Sequence, residues 1–109
     1  MKELEHPFLD NKPKKLLIGG RWEDALAGRT FDSINPATGE VIAQLAEGAG
    51  EDVDRAVAAA RDAFEGPWSK VKPYERQELI LNIANTFEKY FDDLARLETL
   101  DMGAPIART

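Results

Sequence analysis

Residues 32–64 read DSINPATGEVIAQLAEGAGEDVDRAVAAARDAF, and the spacing of their apolar residues changes midway. Asn35-Pro36-Ala37-Thr38-Gly39-Glu40 is a turn with a mechanism. Pro36 fixes one φ, Asn35 can bond its own backbone, and Gly39 supplies a positive φ. Thr30 to Ile34 before the turn and Val41 to Leu45 after it predict a pair of antiparallel strands. Beyond Glu51 the period becomes helical, with Val53, Ala56, Val57, Ala60, Ala63 and Phe64 on one stripe. Asp54, Arg55, Arg61, Asp62 and Glu65 cover the opposite side. Glu51 and Asp52 fall in the first turn, where carboxylates suit the positive end of a helix. Gly66-Pro67 stops it.

Upstream, Leu16-Leu17-Ile18, Gly19-Gly20 and Arg21-Trp22 predict a short strand containing a glycine turn or bulge. Residues 1–15 alternate charge with proline and show no apolar period, so they read as a mobile N-terminal arm. Residues 16–109 form the structured part, a small antiparallel hairpin or meander followed by two or three helices. Pro73 opens the second helical region, which runs through Leu79, Ile80, Ile83, Ala84, Phe87 and Phe91. The stripe shifts between Lys89 and Asp92, and Asp92 is a good N-cap for a separate helix through Leu94, Leu97 and Leu100. Gly103 and Pro105 end that helix.

The 109 residues allow one domain or a piece of a larger one. With 43% hydrophobic and 31% charged residues, the chain is too apolar for disorder. A net charge of −6 with no basic stripe argues against nucleic acid as a partner. The absence of cysteine removes disulfides, thiolate metal sites and a thiol nucleophile from these residues. No run approaches the roughly 18 apolar residues of a membrane span, and no signal-like core stands at the start. A soluble cytoplasmic protein with no membrane partner is expected.

Few residues suggest chemistry. Gly48-Ala49-Gly50 opens a helix after a strand, but Val53 stands where a dinucleotide fingerprint needs its third glycine. Glu51 and Asp52 would also repel a pyrophosphate, so the segment reads as a loop. His6 is the only histidine and lies in the expected arm, where nothing would hold partners around it. The adjacent acids Glu23-Asp24 and Asp92-Asp93 point in different directions. Trp22, Trp68 and Phe87 read as core or interface. Asp101, with Glu98, sets negative charge in a last helical turn that already carries partial negative charge; a cation or donor would relieve it, and on sequence grounds alone a solvated surface acid is the favoured reading.

Taken in order, these blocks resemble the N-terminal segment of the aldehyde dehydrogenase superfamily. The resemblance rests on Ile18-Gly19-Gly20-Arg21-Trp22, on Asn35 to Glu40, and on Asp52-Val53-Asp54-Arg55-Ala56-Val57 with Ala59-Ala60-Arg61 and Phe64. Arg76, Leu97-Glu98-Thr99-Leu100-Asp101 and Gly103-x-Pro105 continue it. It implies the N-terminal part of the cofactor-binding domain of a longer α/β enzyme with a Rossmann-like fold. In the family, an aldehyde is oxidised with NAD or NADP through a cysteine thioester, and nucleophile, base and cofactor contacts come from downstream sequence. No catalytic or cofactor-binding residue, and no cofactor bound by this chain alone, is therefore expected. The resemblance implies one site: a structural monovalent cation held by backbone oxygens of Ser33 and Ile34 and by Asp101, with a further ligand from downstream. Oxygen donors suit such a hard ion. Ala104 departs from the family, where lysine is common, and Ala49 replaces a polar helix cap.

The expected partners are the remainder of the parent enzyme or further copies of the chain. The competing reading is a free-standing helical interaction module that self-associates without catalysis. Substrate and cofactor preference are not encoded in these residues.

Overall fold

The computed structural model describes residues 8–108. His6 and the first part of the expected arm lie outside them. Four strands precede three helices: β1 (Leu16–Ile18), β2 (Arg21–Glu23), β3 (Thr30–Ile34), β4 (Val41–Ala46), α1 (Gly50–Glu65), α2 (Pro73–Lys89) and α3 (Phe91–Met102). Short 3-10 turns lie at Pro67–Lys70 and Ile106–Arg108. The strands form two separate antiparallel pairs, β1 with β2 and β3 with β4.

The expected first strand is thus two strands. Gly19 and Gly20 have φ of 60° and 78°, so they make a two-residue hairpin turn, the alternative to a bulge. Lys14, at the end of the segment read as an arm, is tied to β4. Its N–H donates to the Gln44 carbonyl at 2.8 Å and its carbonyl accepts from Ala46 at 2.8 Å. The second helical region breaks at Tyr90 rather than capping at Asp92, which lies in the first turn of α3.

α1 does not present the expected side to the chain. Its inward residues are Asp52, Arg55 and Ala59, spaced i, i+3 and i+7, and Ala59 faces Gly19 of the first hairpin. The apolar stripe points outward, with Val53 57%, Val57 60% and Phe64 67% exposed. Arg55, assigned by spacing to the solvent side, is turned inward. A stripe reports which side avoids water, whereas the chain's own contact here is made by charge and hydrogen bonds.

Asp52 is the buried centre of that contact. Its Oδ2 accepts from the Ala49 N–H at 2.9 Å, which is the reciprocal half of a capping box. Ala49 has no side-chain oxygen to return the bond, so the acid alone caps the helix. Oδ1 accepts from the Leu26 N–H at 3.0 Å and from Arg55 Nη2 at 2.7 Å. Arg55 Nη1 continues to Glu23 Oε2 on β2 at 2.5 Å. The Ala49 amide, then Arg55 and the Leu26 amide, hold the Asp52 carboxyl down from 3.8 to about 2.

At the other end, Gly103 follows α3 with φ 79° and donates its N–H to the Thr99 carbonyl at 2.9 Å, a left-handed helix ending. A Cβ built there would meet Pro36 Cγ at 2.9 Å. The Asn-Pro turn therefore packs on the end of α3 through a position that needs glycine twice over.

Few apolar side chains are enclosed. Among the described residues only Ala25 and Ala95 are buried hydrophobics. The radius of gyration is 17.2 Å, against about 13 Å for a compact domain of this length.

Two outcomes follow. The Asp52 carboxyl has a depressed folded-state pKa, so its stabilisation is fully present above the unfolded value of 3.8 and is lost as pH falls toward about 2. Asp52→Asn should lower the melting temperature at neutral pH and flatten the loss of stability between those values, read by circular dichroism melts. Gly103→Ala combines left-handed backbone with the Pro36 clash and should cost at least about 1–2 kcal/mol in denaturant unfolding.

Candidate functional site

The implied cation ligands sit where β3 ends beside α3. Ser33 pairs with Ala43 and Ile34 with Val41, so Ile42 is an extra residue on β4, a bulge that bends the strand there. The turn that follows is closed by its own backbone. The Asn35 N–H donates to the Glu40 carbonyl at 2.8 Å and the Gly39 N–H to the Asn35 carbonyl at 2.8 Å. Asn35 Oδ1 accepts from the Ala37 N–H at 2.9 Å, the local bond expected of an asparagine before proline in a turn.

Across from this end, Asp101 occupies the last turn of α3. Its Oδ1 accepts the Ser33 hydroxyl hydrogen at 2.5 Å, joining residues 68 apart in sequence. Ser33, Ile42, Glu98 and Asp101 line one side of an open groove of about 530 Å³ between β3, β4 and α3. The structure thus brings Ser33 and Asp101 into direct contact, and Ile34 follows on the same strand. The side-chain bond differs from the backbone role implied for Ser33, and nothing in the residue spacing could have signalled it.

The donor chemistry suits a hard cation. What the structure brings together is the Ser33 hydroxyl and the Asp101 carboxylate at the negative end of a helix. Among the described residues no group of three or more His, Cys, Asp or Glu could hold a metal ion. Any cation here would depend on neutral oxygens beside the two carboxylates that line the groove, Glu98 and Asp101. A soft or strongly charged metal would find too few ligands.

Gly48-Ala49-Gly50 is occupied differently. The Ala49 amide at the start of α1, which a phosphate would use, is bonded to Asp52. Arg76 is likewise engaged. Its Nε donates to the Val71 carbonyl at 3.2 Å and its Nη2 to the Trp68 carbonyl at 2.9 Å, with the guanidinium 4.7 Å from the Trp68 ring centre. It fastens the connection into α2. Sequence spacing missed both Arg76 and the Asp52–Arg55–Glu23 chain of bonds, because Trp68, Val71 and Leu26 lie outside any apolar period and Glu23 lies on a separate element 32 residues from Arg55.

The sequence model of the aldehyde dehydrogenase family matches residues 22–109. A mitochondrial benzaldehyde dehydrogenase from Antirrhinum majus is 54% identical over 92 residues, covering 84% of this chain and 17% of that protein. Aldehyde dehydrogenase family 2 member B4 of Arabidopsis thaliana, also mitochondrial, is 48% identical over 105 residues, covering 95% and 20%. Among solved structures, a variant of the Bacillus cereus aldehyde dehydrogenase superposes with a TM-score of 0.88 at 44% identity, covering 92% of this chain and 20% of that one. The NAD+ complex of the Bacillus cereus enzyme gives 0.83 at 44% identity, covering 86% and 19%. The chain spans about a fifth of the length of the relatives it matches. The fold agrees with those structures over most of the chain, the family model spans residues 22–109, and the chain belongs to the aldehyde dehydrogenase family.

Proposed function

We propose that this chain is the N-terminal structural segment of an NAD(P)-dependent aldehyde dehydrogenase and the first part of its cofactor-binding domain, inactive alone. The observation that carries this reading is the family match across residues 22–109 at one fifth of the relatives' length. The parent reaction oxidises an aldehyde and water to a carboxylic acid while the nicotinamide accepts a hydride. It passes through a thioester on a cysteine, and these residues contain none. The bound nicotinamide supplies the hydride acceptor. These residues supply positioning, by fixing the first hairpin to α1 through Asp52 and the second to α3 through Gly103. Their partner is the rest of the enzyme. No helix among the described residues is long and apolar enough to cross a membrane, and we place the protein in the cytoplasm.

The purified chain, incubated with an aldehyde and NAD+ or NADP+, should give no NADH or NADPH absorbance above a blank. A rate proportional to the chain's concentration would sink the reading.

In the same reading, Ser33, Ile34 and Asp101 seat a structural monovalent cation. The Ser33–Asp101 contact and the preference of a hard ion for oxygen support it. A cation that binds only the folded state raises stability by mass action. Melting temperature should therefore be higher in potassium or sodium chloride than in choline chloride at equal ionic strength. Asp101→Asn should remove the difference. Equal melting in all three salts would refute the site.

A further inference from the structure

Residues 8–14 of the N-terminal arm follow a bent path, and each bend has a local cause. Lys14 bridges to Leu45 in the parallel sense, through the two backbone bonds to β4 described above. The pairing cannot extend toward the N-terminus, because Pro13 has no N–H to donate. Asn11 takes a left-handed φ of 63°, a conformation that asparagine tolerates better than most residues, and the chain turns back there. Asp10 Oδ1 accepts the Lys12 N–H at 3.1 Å, the local bond of an Asx turn.

The turn brings its free end onto its own anchor. Lys14 Nζ donates to the same Asp10 oxygen at 2.9 Å and lies 4.1 Å from the centre of the Phe8 ring, within cation–π range. The Lys14 side chain is 16% exposed, against 44% for Asp10. One residue is therefore a hinge by its backbone and a latch by its side chain. Between hinge and tip the arm arches, leaving a hollow of about 290 Å³ between residues 9–12 and β4. Its tip, Phe8 and Leu9, lines the groove that also holds Ser33, Leu97 and Asp101. The two ends are held unequally. The hinge is a pair of sheet bonds, whereas an exposed ion pair contributes little and is screened by salt, so the tip is the end that releases first.

We propose that residues 8–12 are a hinged strap that closes the groove between β4 and α3 and, on release from the Lys14 side chain, admits small solutes to Ser33 and Asp101. All of the strap's holding contacts lie within the arm and β4, so closure requires no ion in the groove.

The sequence has no cysteine, so one introduced thiol reports access to one place. In the full chain, Ala43→Cys sets that thiol on the groove, and Ala58→Cys sets a reference thiol on the exposed surface of α1. Reaction with a bulky aromatic disulfide is followed by absorbance. Lys14→Met removes the ammonium and keeps the backbone hinge, and should raise the rate at position 43 by about threefold or more while leaving position 58 unchanged. Asp10→Asn keeps an oxygen for the Lys12 N–H and should give a smaller rise. Combined with Lys14→Met it should add nothing, because the latch is already open. The Ala46 N–H, bonded to the Lys14 carbonyl, should stay equally slow to exchange in every variant. An unchanged rate at position 43 in Lys14→Met would overturn the strap. So would an equal rise at positions 43 and 58, which reports general loosening, and so would lost protection at Ala46, which means that the arm leaves as a unit.

Discussion

One buried carboxylate orders the first half of this chain. Asp52 caps α1 at Ala49, accepts the Leu26 amide from the connection between the hairpins, and holds Arg55, which reaches Glu23 on β2. A helix, a loop and a strand are thereby oriented by a single side chain. Charge-assisted hydrogen bonds have stricter angular demands than apolar contacts, so they can fix direction where little core exists. Ala25, one of only two buried hydrophobics among the described residues, precedes the amide that Asp52 accepts. The small enclosed volume and the polar network occupy the same place. Losing the acid would leave two backbone amides and a guanidinium short of an acceptor, and unmet groups of that kind cost more than a formed bond contributes.

The second half is closed by contact rather than by charge. Pro36 lies against Gly103 so closely that no side chain fits between them, and the Ser33 hydroxyl reaches Asp101 from the same strand end. Both contacts join the β3–β4 hairpin to the end of α3. With one clamp at each end, the two hairpins, α1 and α3 are held in place by their edges. Their broad apolar sides stay outside, and the radius of gyration exceeds that of a compact domain. A chain built this way has fixed internal geometry and unfinished packing.

The sequence made the elements legible and their facing illegible. The period change near Glu51 marks the passage from hairpin to helix within about a residue, and Asn35 to Gly39 fixes the turn. Those signals are local, set by φ preferences and by apolar spacing. The side of α1 that meets the chain was misread, because the Val53–Phe64 stripe implies a partner without saying that the partner lies within these residues. Asp52 was legible as an acid at a helix start. Its bond to Leu26 was not, since that amide lies 26 residues away in a connection with no pattern. The break at Tyr90 was placed two residues late because Asp92 is the better cap by type, while the backbone turned earlier. For the candidate site, spacing showed only that Asp101 stands at the unfavourable end of a helix. Its association with Ser33 and Ile34 came from family resemblance.

That unfavourable placement has a physical consequence which the Ser33 contact leaves open. The last carbonyls of α3 and the carboxylates of Glu98 and Asp101 add negative charge of one sign at one end. A hydroxyl donates one hydrogen bond but brings no net charge, so it satisfies an oxygen without cancelling the field. A lysine or arginine would cancel it, yet no cationic side chain lines the groove among the described residues, and alanine stands at position 104. The monovalent ion proposed above would balance the charge using the oxygens present. It would also bridge β3 to α3 in the place where Pro36 and Gly103 already bring them together. In that proposal, charge balance and the joining of sheet to helix would be one requirement, met at one point of the segment.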